Sequence, residues 1–162
     1  MDFLDRMLGH DAWTTRQLLL LAMPLTDADL DREFDIGLRT LRATFRHVIH
    51  NTNVWEALMA GDVPRTKVRC PLSIAEMIVA HDAASTSLAM LARDVAARGA
   101  WDELFHDVLV EPPQSFTLGA GIAHVLTHSM HHRGQIIHMM KKLGVENVPE
   151  GDVMSWEFSR AD

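Results

Sequence analysis

The sequence contains no tyrosine, one cysteine and only 6% aromatic residues. With Cys70 alone an intrachain disulfide is impossible, which fits a reducing compartment. There is no concentrated block of lysine and arginine, and the formal net charge is −7 with histidines neutral. An acidic surface repels phosphate, so neither nucleic acid nor an anionic membrane is expected as a partner. The apolar run from Leu18 to Met23 falls far short of the roughly 20 residues a spanning helix needs. The start, Met1-Asp2-Phe3-Leu4-Asp5, is acidic and has no basic region before an apolar stretch. Together these absences predict a cytoplasmic protein.

What is present suits a globular domain. Hydrophobic residues make up 48% of the 162-residue chain and charged residues 23%. That length can bury a core without staples, and no linker or repeat divides it, so one domain over residues 1–162 is expected. Ten methionines and ten histidines stand out. Methionine is ordinarily flexible core filling. For histidine, position matters more than number.

Helical periodicity dominates the chain. Phe3, Leu4, Met7, Leu8, Ala12, Leu18, Leu19 and Ala22 predict a helix over 3–23, stopped by Pro24. Thr26 and Asp29 have the spacing of a capping box. A second helix is expected over 38–60, with Gly61 as its stop, followed by a polar loop from Asp62 to Pro71. Ser73 and Glu76 cap a third helix that runs to Arg98, before Gly99. Pro112 and Pro113 bar a helix from the next stretch, where Leu109-Val110 and Ser115-Phe116-Thr117 suggest a short hairpin. A fourth helix is expected over 119–143, with Gly134 inside it implying close packing against a neighbour. The tail from Val145 is expected to be coil. Four long helices predict an all-α fold, a four-helix bundle with a crossover connection before the fourth helix.

The fourth helix carries His124, His128, His131, His132 and His138. His128 and His132 are one turn apart and separated by about 40° around the axis. Imidazoles at that spacing can reach one ion at about 2.0–2.1 Å, the zinc–nitrogen distance. The second helix offers His47 on a stripe with Asn51, Val54, Trp55 and Leu58. Three histidines from two facing helices would form a site with coordination positions left open, as in catalytic zinc centres. Asn51, Gln135 and His124 are candidates to take the second ring N–H of the ligands. His131 points about 60–100° away from the pair and is left out. His10, His81, His106 and His138 read as surface or packing residues. The plain alternative is that these histidines are hydrogen-bonded core residues, since an H-x3-H pair alone is a weak signal. Cys70 reads as an incidental loop thiol, and Trp13, Trp55, Trp101 and Trp156 as core or interface anchors.

The segment Ala123-His124-Val125-Leu126-Thr127-His128-Ser129-Met130-His131-His132-Arg133-Gly134-Gln135 resembles the signature of the DinB/YfiT-like superfamily. Thr44-Phe45-Arg46-His47-Val48-Ile49-His50, with Trp55 eight residues after His47, is similar to its second-helix motif. His10-Asp11-Ala12-Trp13 and the tail Gly151-Asp152-Val153-Met154-Ser155-Trp156-Glu157 support the likeness, which spans nearly the whole chain. The resemblance implies a four-helix bundle with a crossover, often a homodimer, with zinc or nickel on His47, His128 and His132. It also implies a chemistry, because some members are S-transferases or isomerases that use a low-molecular-weight thiol. No residues matching a thiol pocket are identifiable.

Three functional readings follow. The first is a metal-dependent enzyme activating a thiol or water against a small-molecule electrophile, as an S-transferase or a hydrolase. Asp152, Glu157, His50 and His124 are its candidate bases. The second is a non-catalytic metal- or ligand-binding module. The third is a helical bundle whose histidines only pack.

Overall fold

The structure, a computed structural model, describes residues 1–64 and 73–160. Cys70 and the end of the loop at Pro71 lie outside the described residues. The elements are α1 (Phe3–Ala22), α2 (Asp27–Leu30), α3 (Leu41–Ala60), α4 (Ile74–Arg98), β1 (Leu104–Asp107), β2 (Gln114–Thr117), α5 (Leu118–Lys142) and α6 (Val153–Ser159).

The local signals act as expected at most helix ends. Thr26 with Asp29, and Ser73 with Glu76, form reciprocal capping boxes. Gly61 and Gly99 close α3 and α4 at φ of 80° and 67°, a backbone that only glycine adopts freely. The start of α3 differs from expectation. It begins at Leu41 rather than residue 38, because the Thr40 hydroxyl caps the Ala43 amide. Just before it, Arg39 turns through φ 70° while the Phe34 amide donates to its carbonyl.

The four long helices form an all-α bundle in which α1 packs on α4, α4 on α3, α3 on α5 and α5 on α1. The successive long helices α1 and α3 are therefore diagonal, as are α4 and α5. Both long connections cross the bundle, rather than the one before the last helix alone.

Two apolar cores result. One gathers Leu58, Met59, Leu88, Val95, Phe105 and Ile122, and the other Leu18, Leu41, Phe45, Met77, Ile136 and Met139. Between them every long helix carries buried polar groups: His10, Asp11, Thr14 and Thr15 on α1, Thr52 on α3, His81 on α4, and Ser129, His132 and Arg133 on α5. Buried polar groups need partners. His10 Nε2 lies 2.9 Å from the Gly151 carbonyl, and His81 Nε2 3.0 Å from the Ala12 carbonyl. Both histidines are packing residues, as expected.

Three further sequence expectations need correction. The hairpin's first strand is Leu104–Asp107, with Phe105 opposite Phe116, and Leu109-Val110 falls in the turn. Phe105 decides this, because it is the strand residue that buries in the core. The tail is not all coil: Asp152 accepts from the Ser155 amide to start α6, and Trp156 is buried against Gly9, where an added Cβ would lie 2.5 Å from the indole. Finally, Gly134 is exposed, and an added Cβ there meets nothing within 4 Å. The close approach of α3, α5 and the hairpin is at Gly121, where a Cβ would sit 2.6 Å from Met59 Sδ. Gly134→Ala should therefore stabilise the fold by about 1 kcal/mol, the helix-propensity difference. A urea titration would show a higher midpoint at unchanged slope.

Candidate metal centre

His47 faces inward from α3, one turn before Asn51 and two before Trp55. His128 and His132 face it from α5. Chain directions oppose, so His47 meets the pair while Trp55 meets His124 earlier on α5. One ligand nitrogen from each of His47, His128 and His132 lies within 4.8 Å of the others, a group that could hold a metal ion. Ring centroids are 5.0, 4.6 and 4.5 Å apart around the triad. His132 is buried, and His47 and His128 are half-buried. Among the described residues, no thiol or carboxylate joins this group.

Neighbouring amides orient two of the rings. Gln135 Oε1 lies 2.8 Å from His132 Nδ1 and accepts its hydrogen, which leaves the His132 Nε2 lone pair free. The Gln135 amide nitrogen, 2.9 Å from His131 Nε2, donates to that exposed ring. Trp55 Nε1, a donor only, gives its hydrogen to Asn51 Oδ1 at 3.1 Å. The Asn51 amide nitrogen is then 3.1 Å from His128 Nδ1, so His128 carries its hydrogen on Nε2 and donates to His47 Nε2 at 3.3 Å. Ligation through His128 Nε2 would move that hydrogen to Nδ1, the atom that the Asn51 amide nitrogen faces here.

Electrostatics favour neutral rings. Burial, and then the neighbouring His132 and His47, push His128 down to about 4. Burial, followed by His132 and His50, also lowers His47. Neutral imidazole is the metal-binding form. Three ring nitrogens converging from two helices, two of the rings held by amides, fit a divalent ion.

These shifts predict how the metal-free protein responds to pH. The unfolded His128 and His47 protonate near 6.5, above their folded values. As pH falls below 6.5, the unfolded chain binds protons first, so stability present above that pH is lost towards about 4. Melting temperature in chelator should fall across this interval, and less steeply in His128→Ala. A flat profile would contradict the assignment.

Gln135 takes the second ring N–H of His132 as expected, whereas Asn51 turns its amide nitrogen to His128 Nδ1 and His124 makes ring contact, 5.3 Å from His128 and 4.8 Å from Trp55. His131 stays outside the triad. Asp152 caps α6 and Glu157 pairs with Arg6, so both candidate bases are engaged elsewhere. Sequence reading missed Arg133, which follows His132 and pairs with Asp11 of α1 inside the bundle. The motif Arg-Gly after the ligand, with His10-Asp11 on α1, was its signal.

The fold and this site define a helical-bundle protein with a three-histidine cluster suited to a metal. The comparisons agree: the DinB family model matches residues 1–158, and the chain belongs to the DinB family. A search of curated proteins finds none that matches it. Among the described residues, no helix is long and apolar enough to cross a membrane.

Proposed function

We propose that this DinB protein is a metal-dependent enzyme, with one zinc or nickel ion held by His47, His128 and His132. It would activate a low-molecular-weight thiol or water against a small-molecule electrophile. The observation that carries the reading is the convergence of three imidazole nitrogens within 4.8 Å, with no fourth protein ligand among the described residues. Imidazole donors suit both zinc and nickel. A divalent ion bound there supplies Lewis acidity and lowers the pKa of a thiol or water. The chain's own part is positional. Gln135 fixes the His132 ring, Asn51 and Trp55 hold His128, and the half-buried setting limits water around the site.

The test is turnover of a panel of thiols and electrophiles, including hydrolase substrates, by metal-loaded untagged protein. Turnover that disappears in the triple His→Ala variant is expected. Metal binding without any turnover above that variant would favour a second reading, a non-catalytic metal- or ligand-binding module. The absence of a carboxylate from the cluster favours that alternative. A homodimer in the cytoplasm belongs to the same proposal, and sedimentation should show twice the chain mass.

A further inference from the structure

Flat rings continue outward from the triad on the hairpin side. His124, exposed and one turn before His128, lies against the half-buried Trp55 at 4.8 Å between centroids. Phe116 of β2 reaches the same indole from the hairpin at 6.4 Å. Its cross-strand partner Phe105 is buried against Trp55 at 6.1 Å and anchors the hairpin on the bundle. Phe116 keeps 37% of its surface exposed, although it shares this face with a buried residue. The wall of Phe116, Trp55 and His124 thus begins 5.3 Å from a candidate ligand ring and ends in solvent. Rings of this kind favour planar apolar partners, by stacking or edge contact. By contrast, a groove of about 460 Å³ between α1 and α4 is lined by none of these residues or the triad.

We infer that Phe116, Trp55 and His124 form a substrate-recognition wall, and that the molecule acted on at the triad carries an aromatic or similarly flat apolar group. This inference rests on the metal reading above. The donor atom of such a ligand would reach the open side of the three-histidine site while its ring lies on the wall.

The experiment compares acetohydroxamate with benzohydroxamate, two metal-binding probes that differ by a phenyl ring. Each is titrated into zinc-loaded protein by calorimetry. The phenyl compound is expected to bind about fivefold tighter, in the range of one aromatic contact. That preference should shrink towards one in Phe116→Ala and in His124→Ala, with the loss concentrated in the benzohydroxamate affinity. His124 is exposed, so its variant tests the wall even if Phe116→Ala disturbs the hairpin. Equal affinities in the parent, or a preference that survives both substitutions, would overturn the wall while leaving the metal site standing. If the protein takes up no zinc and neither probe binds, the functional reading falls and the wall with it.

Discussion

Asp11→Ala should lower the unfolding free energy by about 3–5 kcal/mol, the usual cost of stripping one partner from a buried ion pair. Arg133 is among the most completely buried side chains, with 2% of its side chain exposed, and its guanidinium pairs with Asp11, itself 9% exposed. A guanidinium does not deprotonate in a protein, so Arg133 cannot relieve its burial by becoming neutral. Without the carboxylate it is an uncompensated charge between two apolar cores. Unfolding should be followed in urea with chelator present, because a bound ion would otherwise add stability by mass action. The double variant Asp11→Leu with Arg133→Met distinguishes charge from packing. It should recover most of the loss, since apolar replacements of both partners are often near neutral. If Asp11→Ala costs less than about 1 kcal/mol, the range of an exposed pair, the pair is not buried as described.

Removing one imidazole should have an equally large effect on metal content. Untagged parent protein is expected to carry about one equivalent of zinc or nickel per chain, and His128→Ala to carry none after the same exposure. His128 is the member that contacts both His47 and the Asn51 amide, so its loss opens the triad at its centre. Mass spectrometry of the purified protein gives the stoichiometry. Chelation should lower the parent's melting temperature, by about 4 kcal/mol of stability if the ion is present at 1,000 times its Kd, and leave the variant unchanged. Gln135→Ala should act more gently. It removes the acceptor of the His132 Nδ1 hydrogen and should weaken metal affinity by about 10- to 100-fold without abolishing it. Parent protein that stays free of metal in excess ion would rule out the three-histidine centre.

Much of this was legible before any coordinates. The capping pairs Thr26–Asp29 and Ser73–Glu76, the stops at Gly61 and Gly99, and the H-x3-H spacing all act within about one helical turn. Such interactions depend on local geometry that sequence spacing encodes directly. The motif of α5 pointed to the family, and His47 could be placed on an inward stripe of α3 by periodicity alone. Gly134 shows the limit of that approach: a glycine inside a helix signals an absent side chain, but not whether a neighbour or solvent occupies the space. Gly121, buried three residues after the same helix starts at Leu118, is the one that lets α3 and the hairpin come close.

Tertiary structure decided which faces meet. Asp11 finds Arg133 across 122 positions of chain, and Trp156 docks in the space beside Gly9. Phe105 selects the hairpin register, and Asn51 rather than His124 takes the hydrogen-bonding place beside His128. None of these has a sequence period, because each depends on how the two crossing connections set the helices around the bundle. By itself the sequence determined a helical bundle and three histidines able to bind metal. The packing of α3 against α5 determined that the three share one site, because only a fixed interhelical distance and register can bring nitrogens from separate helices within reach of a single ion.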